Sequence, residues 1–402
     1  MSKILELFFN KNRSNEQHFE KQVLLPLKCR PATMQIKPFK AFYPKVSLIG
    51  SANDFCANAK NSFRQNLDDG LFKHSAEDSF YIYQIEHGER KHIGLVGLNN
   101  VDDFLNGHVK KHEDTLHERE LQQKELFLLW KGILKPILVT HAPVPELASW
   151  LSAYAQTHPP KMTVPFHKEG STHRFWAVPK AEDIAFLQSL FAQHVTETYI
   201  ADGHHRASTT AMLYQDPESA ELGLDFSHLY CAWFAADQLD ILDYNRVIGG
   251  VKTIGSARLM AHLSKIFDID ILDEPRKPLK KHELIMFLGK QCYALRWRNF
   301  VLEQAPKGVD TLDTALLNDL VFKEIFNIPD VRTDTRITYV DGSKGLEGLQ
   351  KAVKKSSDRV GFAFYPVTFE DLARIADAGE NLPPKSTYFE PRLKSGLLVQ
   401  MF

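Results

Sequence analysis

Short apolar runs with strand character alternate with amphipathic helix patterns along most of the chain, and this alternation constrains the fold more than any other feature. The stretch AEDIAFLQSLFAQ (181–193) has apolar residues at helical spacing, ETYIA (197–201) is a strand pattern, and HRASTTAMLYQ (205–215) is helical again. Two β-rich runs around HGER, within residues 79–100, predict a hairpin. Strand–helix alternation mixed with hairpins predicts an α+β (mixed α/β) protein, with mixed sheets and flanking helices.

The length of the chain predicts several subdomains. At 402 residues it exceeds what one hydrophobic core usually serves. We expect a small insertion with split β-α-β order, in which helices near 255–267 and 279–289 each precede a strand. The predicted parts are an N-terminal extension (1–33), a main α/β domain (34–250), a small α+β insertion (251–305) and a C-terminal α/β part that packs back on the main domain (306–402).

Composition narrows the classes of function. The 49 Lys and Arg residues nearly cancel the 50 Asp and Glu residues, which disfavours a general nucleic-acid-binding surface but leaves room for a local basic pocket. The longest apolar runs are far too short to span a bilayer. Four cysteines without CxxC spacing are typical of free thiols in a reducing compartment. The sequence therefore predicts a cytoplasmic protein with neither a membrane nor a nucleic-acid partner.

The most informative stretch is TETYIADGHHRASTTAML (196–213), where a strand pattern runs directly into a helix pattern. Asp202 is predicted to cap the helix, and Gly203 lets the backbone approach a ligand closely. The free N–H groups of the first helical turn, with His204, His205 and Arg206, would then form a cradle for a phosphate group. The alternative is that Asp202 only caps and that the basic residues lie on a solvated face. Adjacent histidines rarely bind one metal ion together, so no metal site is predicted.

Two further segments offer partners for this turn. In HVKKHEDTLHERE (108–120) a helix is predicted to begin between Lys110 and Glu113; Glu113 could be a general base or a Mg²⁺ ligand, and Lys111 could bind phosphate. The alternative there is a solvated charged face. In LPPKSTYFEP (382–391) two prolines stiffen a loop that presents Lys385, Ser386 and Thr387, unless this is an ordinary surface loop.

A third segment, DYNRVI (243–248), carries Asn245 and Arg246 at the end of a predicted strand. Either they contact the same anion, or Arg246 pairs with Asp243 or another acid.

These motifs resemble the family called domain of unknown function 1015. The resemblance covers residues 34–402 and is carried by the following stretches: KPFKAFYP, GLVGLNNVDDFLNGHVKKHEDT, HRFWAVP, YIADGHHRAS, YNRVI, RTDTRITYV and LPPKSTYFEPRLKSGLLVQMF. The chain departs from the family pattern at 43–56, where YPKVSLIGSANDFC replaces a PPYD-like segment.

The Asp-Gly-His-His-Arg turn is also similar to the phosphate-binding turn of the ParB/sulfiredoxin superfamily, which includes nucleotide-dependent free-serine kinases. This second resemblance implies a ParB/sulfiredoxin-like strand-turn-helix and a small-molecule phosphotransferase. It also implies ATP or ADP with Mg²⁺ as cofactor, and serine or another small hydroxyl compound as acceptor. The alternatives are a phosphatase acting on a small phosphorylated metabolite through His204 or His205, and a nucleotide-sensing protein without turnover.

The candidate residues fall into two groups. The proposed catalytic residues are Glu113, Asp202, His204 and His205. The proposed cofactor-binding residues are Lys111, His112, Gly203, Arg206, Asn245, Arg246, Lys385, Ser386 and Thr387.

Overall fold

The computed structural model of the chain describes residues 34–306 and 308–402. The predicted N-terminal extension (1–33) lies outside these residues. The strands are, in chain order, β1 (Ile36–Lys37), β2 (Phe42–Pro44), β3 (Phe72–His74), β4 (Phe80–His87), β5 (Arg90–Asn100), β6 (Val109–Lys110), β7 (Gly132–Ile133), β8 (Ile137–His141), β9 (Met162–Phe166), β10 (Ser171–Val178), β11 (Thr198–Asp202), β12 (His228–Ala235), β13 (Asp240–Leu242), β14 (Tyr244–Gly249), β15 (Phe267–Leu272), β16 (Glu283–Leu288), β17 (Gln291–Trp297), β18 (Ile337–Asp341), β19 (Arg359–Ala363), β20 (Tyr388–Glu390) and β21 (Gln400–Met401).

Helices connect most of these strands. The α-helices are Ala52–Asp68, Val101–Leu105, His117–Trp130, Pro145–Thr157, Ala181–His194, His204–Gln215, Pro217–Ala220, Val251–Ile254, Ser256–Leu263, Asn299–Gln304, Asp313–Leu317, Gly345–Val353 and Phe369–Asp377. The helix Asp313–Leu317 continues as a π-helix over Asn318–Lys323. In the described part of the chain, no helix combines the length and apolar character needed to cross a bilayer.

The larger sheet has nine strands in the order β6-β11-β8-β12-β5-β4-β10-β9, with β1 added beside β5. The pairs β6–β11 and β8–β12 are parallel and the other pairs are antiparallel, so the sheet is mixed as predicted. Successive residues of β4 alternate between two separate core clusters, because side chains point to opposite faces of a strand. The sheet is therefore buried on both faces.

The helix His204–Gln215 packs closely on this sheet through small residues. Ala207 and Ala211 are buried in the core cluster on one face, and Leu213 belongs to the cluster on the other face. Two alanines on the buried side let the helix backbone approach the sheet. The start of the helix is thereby fixed relative to the end of β11.

The second sheet has six strands in the order β15-β17-β16-β19-β14-β18, and every pair in it is antiparallel. Strand β16 of the predicted insertion (251–305) pairs with β19, which follows the insertion in the chain, and β19 in turn pairs with β14, which precedes it. The boundaries proposed for the domains stay predictions.

The helix predicted near 279–289 is wrong, because residues 283–288 form β16 and all six are buried. A short, fully buried apolar run has the same signature whether it is a strand or a buried helix.

Two short strand pairs join the C-terminal segment to earlier parts of the chain. β20 pairs with β13, the strand that immediately precedes β14, and β21 pairs with β7. The first pairing sets the position of the loop that precedes β20. That loop contains the predicted Lys385–Thr387 segment.

Candidate functional site

A cavity of about 390 Å³ opens beside the turn between β11 and the helix His204–Gln215. Segments far apart in the chain meet around it, which explains why sequence alone shows only parts of it. Five basic side chains and two carboxylates face the cavity. The lining residues are Lys60, His112, Glu113, Arg119, Gln122, Gln123, Leu126, Ala201, Asp202, Gly203, His204, His205, Arg206, Tyr244, Leu382, Pro383, Lys385, Ser386, Thr387, Phe389 and Arg392.

The turn itself has the predicted backbone but a different cap. Gly203 is the N-cap residue, with φ of 111°, and no side chain caps the helix. The expectation that Asp202 caps the helix is therefore wrong, because its carboxylate is drawn into ion pairs. The amides of His204, His205 and Arg206 find no acceptor among the described residues, so the positive end of the helix is free to receive an anion.

Asp202 is the centre of a cluster of three cations. Its Oδ2 accepts from Lys135 Nζ at 2.9 Å and from Arg206 Nη2 at 3.1 Å. Its Oδ1 accepts from Arg392 Nη1 at 3.1 Å. Burial alone would raise the pKa of Asp202, but the three cations hold it well below its usual range. One carboxylate balances only one of the three charges, so the cluster keeps a positive excess at the wall of the cavity.

Gly203 gives a direct test of this local geometry. A Cβ at this position would lie 2.5 Å from Arg206 Nη2, and its φ of +111° is one that other residues rarely adopt. We expect Gly203→Ala to lower the free energy of unfolding by about 1–3 kcal/mol, measured by urea denaturation. Gly223→Ala is the control, because its φ is also positive (+66°) but nothing lies within 4 Å. An equal effect at both positions would contradict a role for the Arg206 contact.

Two buried histidines stand next to Glu113. The rings of His112 and His204 meet edge to face, with centroids 4.5 Å apart, and Glu113 Oε2 lies 3.8 Å from His204 Nδ1. Burial lowers the pKa of His112 to about 4. Burial and the neighbouring His112 lower the pKa of His204 well below its usual range. Both imidazoles are therefore neutral at pH 7.

Glu113 has the environment of a proton acceptor. Burial raises its pKa, and the nearby Lys385 ammonium opposes part of that rise. Its side chain is 41% exposed, so it stays accessible to a ligand. Glu113 does not lie on a helix as predicted, because the helix begins only at His117 and residues 111–116 form an irregular segment. From this irregular segment, the Glu113 side chain lines the cavity.

His205 also borders the cavity, in a half-buried position. Its Nε2 accepts a hydrogen bond from the Leu116 amide at 3.2 Å. Burial and Arg119 lower the pKa of His205. One ring nitrogen is thus already used to hold the segment that carries Glu113.

The predicted loop supplies another part of the cavity wall. Lys385 is exposed, has a left-handed φ of 57° and holds its Nζ 5.5 Å from the centre of the Tyr244 ring. Ser386 is buried and its hydroxyl donates to Pro383 O at 2.6 Å, while Thr387 is half-buried. The Leu382 amide donates to His112 O at 2.8 Å, which ties the loop to the segment that bears Glu113.

Three predicted residues lie outside the cavity wall. Lys111 is exposed and is not one of the described lining residues. On β14 it is Tyr244 that reaches the cavity, whereas Asn245 and Arg246 are fully buried. Asn245 Oδ1 accepts from the Phe364 amide at 3.1 Å. Arg246 Nη2 donates to Pro384 O at 3.2 Å, so Arg246 holds the loop rather than facing a ligand.

The sequence analysis missed two basic residues that bind Asp202 but lie far from it in the chain. Lys135 and Arg392 each bind Asp202, but they are 67 and 190 positions away in sequence. Arg392 lies within the quoted LPPKSTYFEPRLKSG stretch and could have been selected from that motif. Lys135 precedes Pro136 and strand β8, and the sequence around it gives no signal for a site. In the described residues, no group of three or more His, Cys, Asp or Glu side chains is arranged to hold a metal ion.

A family model described as a protein of unknown function (DUF1015) matches residues 42–315, which is more than half of the chain. The chain therefore belongs to this family, and the resemblance read from its motifs is confirmed. The Lys385 loop lies beyond the matched residues. The comparison with curated proteins found no match.

Several solved structures show a distant likeness. SbnI from Staphylococcus aureus, in C-terminally truncated form, is 14% identical with a TM-score of 0.39, over 75% of this chain and 87% of that chain. A free serine kinase mutant in complex with ADP is 14% identical with a TM-score of 0.35, over 73% and 87%. A conserved hypothetical protein from Pyrococcus furiosus is 15% identical with a TM-score of 0.36, over 76% and 95%. At these TM-scores the likeness carries no conclusion about function.

Proposed function

We propose that the chain binds the phosphate groups of a nucleotide in the cavity beside residues 202–206 and transfers a phosphoryl group to a small hydroxyl compound. The proposal rests above all on one observation. The residues whose amides lack an acceptor in the described chain, His204, His205 and Arg206, line a cavity with five Lys and Arg side chains and two carboxylates in its wall. Helix N-termini and convergent cations are the groups that bind phosphate in proteins.

The phosphate contacts would come from two sides. The helix amides and the excess charge of the Asp202 cluster lie on one side, and Lys385 approaches from the loop on the other. Lys385 is a compact charge on a flexible stem, suited to a transferring phosphoryl group. Phosphoryl transfer mainly requires that the reacting groups be positioned and that their charge be stabilised, and these side chains and amides are of the types that do both. A volume of about 390 Å³ is in the range of small-molecule sites.

We assign Glu113 as the general base that takes the proton of the acceptor hydroxyl. Its raised pKa makes it a better base than an ordinary glutamate, and it faces the same cavity as the phosphate-binding groups. Asp202 is less suited to this role, because three cations keep its pKa low. We therefore propose that Asp202 holds Arg206 and Arg392 in position.

Magnesium would add charge neutralisation on the phosphate oxygens. Glu113 is assigned to the proton of the acceptor hydroxyl, so the ion would be held mainly by the phosphate oxygens and by water, several molecules of which Mg²⁺ usually keeps.

Phosphatase action through a histidine has less support. His204 is only 6% exposed, and His205 already accepts a hydrogen bond at Nε2. Nucleotide sensing without turnover shares the same binding site, so product formation separates it from the kinase proposal.

Thermal stability with nucleotide tests the binding step. At one hundred times its dissociation constant, ATP or ADP with Mg²⁺ should stabilise the protein by about 2.7 kcal/mol. Lys385→Gln should weaken nucleotide binding about tenfold, or about 1.4 kcal/mol, because it removes a cation that forms no ion pair with the described residues. Lys290→Gln is the matched control, because Lys290 is exposed in the turn between β16 and β17 and outside the cavity wall; this variant should bind as the parent protein does.

The same samples then decide between the functions. Phosphorylated product from serine or a pool of small hydroxy acids indicates a kinase, and phosphate release from phosphoserine indicates a phosphatase. Stabilisation without either product indicates a sensor. If no phosphate compound changes the melting temperature, the proposed binding site is wrong.

A further inference from the structure

A second cavity, of about 450 Å³, lies between the β2–β3 pair and the edge strand β9 of the larger sheet. It shares no lining residue with the first cavity. The residues around it are Tyr43, Pro44, Lys45, Val46, Ser47, Leu48, Lys73, Lys161, Met162 and Thr163.

The charge around this cavity is of one sign. Lys45, Lys73 and Lys161 come from three separate segments, and none of the described residues in the wall carries a carboxylate. In the described part of the chain none of the three forms an ion pair: Lys45 Nζ donates to Gly70 O at 2.6 Å, and Lys161 Nζ stands 5.7 Å from the centre of the Tyr43 ring. Acidic and basic residues are almost equal in number in the whole chain, so composition does not force this arrangement. Three cations around one cavity, without an acid beside them, raise the local concentration of anions.

The rest of the wall has a different chemistry. Pro44, Leu48 and Met162 supply apolar surface, and Leu48 is 57% exposed. Ser47 and Thr163 supply hydroxyl groups that can donate to an anion. Small-molecule sites commonly combine apolar surface with a few polar groups that fix orientation. The wall therefore suits a ligand with an apolar body and a doubly charged end.

The position of this cavity in the chain is also informative. Residues 44–48 belong to the segment in which the chain departs from the PPYD-like pattern of its family. They line the second cavity, and none of them is among the described residues that line the first.

We propose that the second cavity is a separate binding site for a small organic dianion, a phosphate monoester or a dicarboxylate with an apolar body. The ammonium groups of Lys45, Lys73 and Lys161 bind the charged end, and the surface formed by Pro44, Leu48 and Met162 contacts the body. This site is independent of the function proposed for the first cavity.

Calorimetric titration with phenyl phosphate, and separately with phthalate, tests the site in the full-length protein. Lys73→Gln/Lys161→Gln should lose at least tenfold in affinity for one class of sites, and the loss should shrink at high salt because the contacts are ionic. The control is Lys265→Gln/Lys290→Gln, which removes two exposed lysines outside both cavities and should not change binding. The melting temperature of each variant shows that it is folded. Loss of one probe only would tell phosphate from carboxylate recognition.

Lysine acetylation mapped by mass spectrometry locates the bound probe. Phenyl phosphate should protect Lys45, Lys73 and Lys161 from acetic anhydride, while Lys265 and Lys290 stay reactive. Titrations that are identical for the parent protein and Lys73→Gln/Lys161→Gln, or acetylation of the three lysines that the probe does not slow, would overturn the proposal. Binding that persists only at the first cavity would leave these lysines unprotected and counts against it equally.

Discussion

Glu113→Gln should lower the rate of phosphoryl transfer by about 10²–10⁴-fold, the range that a positioned general base contributes, while nucleotide affinity changes little. Glutamine keeps the size of the side chain but cannot accept the proton of the acceptor hydroxyl. The measurement is kcat and KM for the acceptor, together with the dissociation constant of the nucleotide. If the variant turns over at the parent rate, Glu113 is not the base.

The pH profile gives a second, independent readout. Burial raises the pKa of Glu113, so the fall in kcat/KM at acidic pH should occur above the ordinary glutamate pKa of about 4.3. As pH falls through the raised value, Glu113 takes up a proton and no longer acts as a base. Glu113→Gln should lack this limb. Glu118→Gln is the matched control, since Glu118 is an exposed neighbour outside the cavity wall.

Asp202→Asn should lower the free energy of unfolding by about 2 kcal/mol, measured by urea denaturation, because it leaves partly buried cations without their counter-ion, a case between exposed and fully buried ion pairs. Asparagine has nearly the same shape, so the loss reports charge rather than packing. Lys135 is only 20% exposed, and Asp202 is the carboxylate with which it pairs. Asp330→Asn is the control, because Asp330 pairs with Arg332 at an exposed site, where ion pairs contribute about 0–1 kcal/mol.

The effect of Asp202 should depend on pH in a defined direction. The pKa of Asp202 is lowered in the folded protein, so its stabilisation is present above the ordinary aspartate pKa of about 3.9. It is lost as pH falls below that value toward the lowered one. The stability difference between the parent protein and Asp202→Asn should therefore be constant from neutral pH down to about pH 5 and shrink below pH 4. A difference that grows on acidification would contradict the ion-pair cluster.

Local patterns in the sequence predicted most of the secondary structure. The hairpin of β4 and β5 and the helices Ala181–His194 and His204–Gln215 all occur where periodicity and turn residues indicated them. The failures have a common cause. The strand β16 is buried on both faces, so its apolar run has no alternation to distinguish it from a helix. Residues 111–116 mix good helix formers with poor ones, and their backbone follows contacts with His205 and Leu382, which lie far away in sequence.

The candidate site, too, was predictable where it depends on neighbouring residues and not where it depends on residues distant in the chain. The free amides after Gly203 follow from the strand-to-helix turn, and the turn could be identified from its residues. The role of Asp202 could not, because a lone aspartate before a helix is most often a cap, whereas this one binds cations supplied by Lys135 and Arg392. The burial of Arg246 likewise depends on how the two sheets and the loop pack, and no local pattern encodes it.

The loop before β20 is anchored on both sides of Lys385: one backbone hydrogen bond joins Leu382 to His112, and β20 pairs with β13 over three residues. A segment held in this way does not act as a gate over its ligand. Exchange of ligand with solvent would then proceed without a slow opening step, and association should be governed by diffusion and charge. Rapid-mixing kinetics should accordingly give an observed rate that rises linearly with ligand concentration and does not level off.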